Sequence, residues 1–141
     1  MKKHLLVVDD NNKYAELLGS HFSALGYEID RALTGEQGLS MVVEKGVDYY
    51  SVIVTDITME SQLAGVSMLG KIKKLNYPGT IVVASTGFDV FLGVPFSRLF
   101  LSGYGVHYLI PKTTVLKQDI DFLPIAFFSP PTKKFEEIHS R

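Results

Sequence analysis

The sequence predicts an α/β fold. It reads as a doubly wound, five-stranded parallel sheet in the order 2-1-3-4-5, forming a three-layer sandwich with helices on both faces. Three observations carry that reading. Short apolar runs and helix-period segments alternate along the chain almost without interruption. The clearest runs are continuously apolar, as strands buried on both faces must be. Four of the runs end on residues with chemistry to offer. Residues 4–8 end in Asp9-Asp10, residues 51–55 in Asp56, residues 80–84 in Ser85, and residues 106–110 lead through Pro111 to Lys112. Right-handed crossovers bring strands one and three side by side, so that Asp9, Asp10 and Asp56 meet at the switch point of one crevice.

The elements follow in order. Residues 5–8 form the first strand, and Asn11 or Asn12 caps the helix after it. Tyr14, Leu17, Leu18, His21, Phe22 and Leu25 recur at helical spacing until Gly26 stops them. Residues 27–33 are the second strand. Thr34-Gly35-Glu36-Gln37 is a capping box, with Leu39, Val42 and Val43 on one face of its helix and Gly46 as the stop. Residues 51–55 are the third strand. Residues 65–75 form a helix with Leu69, Ile72 and Leu75 in phase and Lys71, Lys73 and Lys74 outside. Asn76-Tyr77-Pro78-Gly79 is a turn, and residues 80–84 are the fourth strand.

Beyond Gly87 the chain is densely apolar, and Gly93 and Pro95 interrupt any single helix. A loop or short turn is expected there, then a helix near residues 96–102. The fifth strand is residues 106–110. As the sheet edge it tolerates Pro111, whose missing N–H faces outward. A short helix is expected from Thr114 to about Phe122, closed by Pro124. The tail carries Ser129-Pro130-Pro131 and then a charged segment, and reads as a linker, a docking strand or a frayed end.

Bulk properties exclude several function classes. A chain of 141 residues with 46% hydrophobic content fits one domain with a sizeable core. A formal net charge of -1 gives no footprint for nucleic acid or a polybasic membrane surface. The chain has no cysteine, which removes disulfides, thiol catalysis and thiolate metal sites. No run approaches the ~20 apolar residues needed to span a bilayer, and the start is no signal peptide. The expected setting is soluble and cytoplasmic.

The crevice chemistry follows from the residue types. Mg²⁺ takes oxygen ligands and one or two carboxylates while keeping waters. Asp9, Asp10 and Asp56 can supply such a site, and a cation there relieves their mutual repulsion. A carboxylate can also attack phosphorus to give an acyl phosphate. An ammonium at Lys112 can spread the charge of the loose transition state, and Ser85 can donate a hydrogen bond to the bound phosphoryl group.

On the segments Leu6-Val7-Val8-Asp9-Asp10, Val52-Ile53-Val54-Thr55-Asp56, Val82-Val83-Ala84-Ser85 and the Lys112 region, the chain resembles the receiver domain of two-component response regulators, of the chemotaxis-regulator kind. The resemblance covers roughly residues 3–123. It implies a flavodoxin-like receiver domain over residues 1–124, with 125–141 as a C-terminal tail or linker. It implies that Asp56 is the phosphoacceptor. Asp10 would bind metal directly, Asp9 largely through water, and the backbone carbonyl of Thr58 would complete the set around Mg²⁺ or Mn²⁺. Ser85 would be the switch hydroxyl and Lys112 the partner of the phosphoryl group. The donor would be a sensor histidine kinase or a phosphotransfer protein. The output would be another protein or a domain outside this chain, with no nucleic acid or membrane contact here and room for a homodimer. Such a module is not an enzyme beyond its own phosphorylation and dephosphorylation.

Several positions depart from the family pattern. Glu60 stands where proline is usual. Pro111 precedes Lys112, and Thr113 follows it where proline is common. A cis Lys112–Thr113 bond would cost about 3 kcal/mol or more, so a trans bond and a shifted last helix are expected. Leu109 takes the place of the usual switch aromatic, and Tyr108 is one residue off, on the opposite face. Thr86 stands where a small residue is common, which narrows access for the donor. The segment between Ser85 and Lys112 is about five residues longer than usual, so residues 88–104 are expected to form a non-standard partner surface. Two other readings compete. A metal-dependent phosphatase, haloacid-dehalogenase-like, would carry an Asp two residues after Asp56, where Thr58 stands instead. A receiver that docks without phosphorylation would not need the retained Asp9, Asp10, Asp56, Ser85 and Lys112.

Overall fold

The computed structural model describes residues 3–56, 62–86, 98, 101–126 and 129–138, with backbone only at 62–66. Its elements are β1 (Lys3–Val8), α1 (Asn12–Ala24), β2 (Tyr27–Ala32), α2 (Gly35–Lys45), β3 (Tyr50–Asp56), α3 (Gln62–Lys74), β4 (Thr80–Ser85), β5 (Tyr108–Pro111), α4 (Lys112–Leu116) and β6 (Leu123–Pro124). The sheet order is β2-β1-β3-β4-β5-β6. The first five strands are parallel and follow the expected order, while β6 joins β5 antiparallel.

Period-two alternation divides the core between the two faces of the sheet. Leu5, Val7, Val52, Val54, Val82, Ala84, Tyr108 and Ile110 face α1, where Leu18, Phe22 and Val115 complete one cluster. Leu6, Val8, Ile53, Ile81, Val83 and Leu109 face Val42, Met68, Leu69 and Ile72 of α2 and α3. On the α2 side one residue sets the close approach. Gly38 lets α2 lie directly on β1, because a Cβ there would stand 2.9 Å from Val8 Cγ2. The capping box forms as expected, with a one-residue offset on its return leg. Gln37 N–H donates to Thr34 Oγ1 at 3.0 Å, and Gln37 Oε1 accepts from Leu33 N–H rather than from the cap residue.

Two local readings change. The fifth strand is not a bare edge, because β6 pairs with Tyr108 and Leu109 on its outer side. Strand β6 stops there, so Pro111 lies beyond its reach and loses no ladder bond to it. The last helix is displaced and short. It starts at Lys112 with Pro111 as its N-cap, instead of running from Thr114 to Phe122. Thr114 ends it early: its Oγ1 accepts from Asp121 N–H at 3.1 Å and its carbonyl from Asp119 N–H at 3.1 Å. Gln118 takes φ +54° between them, and the chain folds back to bury Phe122 completely. The Lys112–Thr113 peptide is trans, as expected.

The tail takes the docking alternative, since residues 129–138 pack on the body. Thr132 bridges to Phe122 in antiparallel fashion. Phe135 enters the aromatic cluster of Phe22, Tyr27, Tyr108 and Phe122, with ring centroids 5.2–6.4 Å away. Glu137 takes Lys3 Nζ at 2.9 Å and the Tyr27 hydroxyl at 2.5 Å. Ile138 and Thr80 exchange hydrogen bonds of 2.6 and 2.7 Å. These contacts tie the starts of β1, β2 and β4. Because Phe135 is only half-buried, Phe135→Ala is expected to cost about 2 kcal/mol, below the range for a fully buried ring. Urea unfolding of the full chain measures it, and an unchanged midpoint would show that the tail adds nothing to stability.

Tyr108 lies on the α1 face, opposite Leu109, and its hydroxyl donates to the Glu136 carbonyl at 3.0 Å. The sequence-based expectations for residues 88–97, 99 and 100, for Glu60 and for Thr58 lie outside the described residues. Of the 88–104 segment, Arg98 is buried and donates to the Pro124 and Ser129 carbonyls. Leu101 is buried and Tyr104 packs against the α2/α3-side cluster.

Candidate functional site

Strand register brings the polar strand ends to one rim of the sheet. Val8 is level with Ala32 and Thr55, Asp56 with Ala84, and Ser85 with Pro111. Asp9, Asp56, Ser85 and Lys112 therefore converge although Asp9 and Lys112 are 103 positions apart. Asp9, Asp56 and Lys112 are 1%, 4% and 3% exposed, and Ser85 is buried too. Asp10 faces solvent.

The backbone around Asp9 is tightly held. Its N–H donates to the Ala32 carbonyl at 3.1 Å, and its own carbonyl accepts from Arg31 Nε and Nη2 at 3.2 and 3.0 Å. Asp9 Oδ1 accepts from Asn11 N–H at 2.9 Å. Asn11 Oδ1 in turn accepts from Tyr14 N–H at 3.1 Å and caps α1. One short turn thus fixes the acid pair and the first turn of the helix together.

The charges are unevenly matched. Lys112 Nζ lies 2.7 Å from Asp56 Oδ2 and 3.0 Å from Asp9 Oδ2. Its third near neighbour is the ring of Tyr14, with the centroid 4.2 Å away. Three carboxylates, those of Asp9, Asp10 and Asp56, each offer an oxygen, and these oxygens lie within 4.8 Å of one another. Three formal negative charges against the one of Lys112 leave an excess of two. Burial raises the Asp9 carboxyl above its ordinary pKa and outweighs the lowering from Asn11 N–H and Lys112. Ionised Asp9 is therefore held at a cost to folding that persists above that raised value and disappears in acid.

These features fit a divalent cation. The donors are hard oxygens, the uncompensated charge is two, and buried Asp9 Oδ2 touches Lys112 as an ion pair but makes no hydrogen bond. The same rim can hold a phosphoryl group, since it joins a carboxylate, an ammonium and a hydroxyl-bearing strand end.

Of the residues singled out from the sequence, Asp9, Asp10, Asp56, Ser85 and Lys112 all stand on this rim. Two further residues that shape the site were not singled out. Tyr14 carried only the helical-periodicity signal of a core position. Arg31 lies on β2, whose register with β1 places it beside Val7, and nothing local marks it as a clamp on the Asp9 carbonyl.

Comparison with known proteins places these features in context. A family model for the response regulator receiver domain matches residues 5–95. The transcriptional regulatory protein GlrR of Escherichia coli K12 is 31% identical over 83 residues, which are 59% of this chain and 18% of GlrR. The chain spans between 6% and 27% of the length of the curated relatives it matches. Among solved structures, the chemotaxis response regulator CheY4 of Vibrio cholerae gives a TM-score of 0.64 at 20% identity, over 83% of this chain and 95% of that one. The response regulator TrrA of Thermotoga maritima, solved with Mg²⁺-BeF, gives 0.61 at 26% identity, over 82% of this chain and 98% of its own.

Proposed function

Because the chain belongs to the response regulator receiver domain family, we propose that its rim works as a phosphoacceptor site with Asp56 as the acceptor. One observation carries the assignment of roles: Lys112 Nζ sits 2.7 Å from Asp56 and 3.0 Å from Asp9, inside a cluster of three carboxylates. An Asp56 carboxylate oxygen attacks the phosphorus of a phosphohistidine. The new O–P bond forms as the P–N bond breaks, and the imidazole leaves and takes up a proton. Lys112 stabilises charge on the transferring oxygens. Ser85, at the end of the neighbouring strand, donates a hydrogen bond to the product and serves as the switch hydroxyl. Asp9, Asp10 and Asp56, with the Thr58 carbonyl, would hold Mg²⁺ or Mn²⁺, which when bound neutralises charge on the phosphoryl oxygens.

The partners follow from that chemistry. The donor is a sensor histidine kinase or a phosphotransfer protein. The output is a second protein or a domain outside this chain. Among the described residues no helix is long and apolar enough to cross a membrane, and the proposed setting is cytoplasmic. Turnover beyond self-phosphorylation and self-dephosphorylation is not part of the reading.

The test is incubation of the full chain with Mg²⁺ and acetyl phosphate, followed by intact mass. One base-labile phosphoryl group is expected, and none when the metal is chelated. A chain that takes no label under these conditions overturns the reading.

A second measurement addresses the metal. A cation that binds only the folded rim raises the melting temperature with concentration. Asp10→Ala is expected to weaken that response at least tenfold in midpoint concentration. Without metal the same variant should melt slightly above wild type, since one repelling charge is gone. Identical Mg²⁺ titrations of the two proteins would place the cation elsewhere.

A further inference from the structure

We propose that Tyr14 is a positioning residue for phosphoryl transfer, its ring holding the Lys112 ammonium between Asp9 and Asp56. The proposal rests on the acceptor role of Asp56 argued above. Lys112 ends in a compact charge on a flexible four-carbon stem. Its ammonium has two carboxylate neighbours, at 2.7 and 3.0 Å, and the Tyr14 centroid 4.2 Å away. That distance is inside the ~6 Å limit for attraction of a cation to a ring. The lysine is 3% exposed, so the contact is made with little competition from water.

A ring suits this position for a reason of charge. The rim already carries three carboxylates against one ammonium. A further acidic partner for Lys112 would deepen the excess and compete for the cation, whereas the neutral ring attracts the ammonium through its quadrupole. Lys112 can then turn toward a phosphoryl group on Asp56 without losing all its partners.

The placement of Tyr14 is built into the acid turn. Asp9 Oδ1 accepts from Asn11 N–H, and Asn11 Oδ1 accepts from Tyr14 N–H. The turn that presents the acid pair therefore also sets the ring. Hydrogen bonding by the tyrosine hydroxyl plays no part, so phenylalanine should serve as well and leucine should not.

The test uses the full chain with Mg²⁺ and acetyl phosphate, and reads the initial rate of labelling on Asp56. Tyr14→Leu is expected to slow labelling about three- to tenfold, and Tyr14→Phe to restore it to within about twofold of wild type. In a Lys112→Met background Tyr14→Leu should add no further loss, because the ring acts through the lysine. A direct readout accompanies the rates. The ring current of Tyr14 should shift the Lys112 Hε resonances upfield in the metal-free protein. That shift should be lost in Tyr14→Leu and kept in Tyr14→Phe.

Equal rates for wild type and Tyr14→Leu overturn the proposal. So does an equal further loss in the Lys112→Met background, or a Tyr14→Phe variant as slow as Tyr14→Leu. If Lys112→Met labels too little to compare, Lys112 Hε shifts unchanged by Tyr14→Leu overturn it. No label on the wild type overturns the acceptor reading and this proposal with it, whereas a labelled wild type with a silent Tyr14→Leu removes only the role of Tyr14.

Discussion

Asp56→Asn takes up no phosphoryl group from acetyl phosphate and Mg²⁺, while wild type takes up one. The loss is expected to be complete because a primary amide is not a usable nucleophile for phosphorus at neutral pH. The substitution is close to isosteric, and Asp56 ends β3 in register with Ala84, where the backbone ladder holds it whatever the side chain. The amide oxygen can still accept from Lys112 Nζ, now 2.7 Å from Asp56 Oδ2. The fold should therefore survive, which circular dichroism checks in the same samples. The neighbouring acids serve as controls. Asp9→Asn and Asp10→Asn remove charge from the same cluster but leave the nucleophile, so they should slow labelling and raise the metal it needs without abolishing it. Full labelling of Asp56→Asn would move the acceptor to another residue.

The strand ends were the most legible part of this chain. Residues 5–8, 52–54 and 81–84 are apolar on both faces, as the strands of a central parallel sheet are. Once the order is set, Asp9, Asp56, Ser85 and Lys112 have to share a rim. Caps were legible for a similar reason, since Asn11 and Thr34 act within three residues of themselves.

What stayed hidden depends on contacts far apart in sequence. Phe135 sits in a charged stretch with no period, and only the aromatic cluster around Phe22 and Phe122 gives it a place. The early end of α4 depends on Thr114 turning its hydroxyl to Asp121 N–H, a choice that helical propensity does not foresee. Strand β6 is two residues long and carries no alternation to detect. Tyr14 illustrates the same limit at the site. Its helical phase matched a place against the core, which it takes, but its ring also meets a charge 98 residues away, reached only after the sheet has formed.

Lys112→Met is the substitution expected to cost most in stability. Lys112 is the one cation within ion-pair distance of Asp9 and Asp56 among the described residues, and all three are buried. Breaking a buried pair by removing one partner typically costs about 3–5 kcal/mol, because the remaining charge is left uncompensated. Methionine keeps most of the bulk, so the cost is electrostatic rather than a cavity. The pH dependence has a definite sign. Asp9 is already raised by burial, and Lys112 is one of the interactions that lower it. Without the ammonium it rises further, so the folded variant binds a proton more tightly than the unfolded chain does. Stability then falls as pH rises from the unfolded value of 3.8 through the new folded value. The deficit relative to wild type should thus be largest near neutral pH and shrink toward acid. Mg²⁺ should restore part of it at neutral pH, because a cation on the carboxylate cluster replaces some of the missing charge. Urea unfolding at several pH values, with and without Mg²⁺, reads all three effects. A deficit that grows toward acid, or that ignores the metal, would mean that Lys112 holds the rim by packing and not by charge.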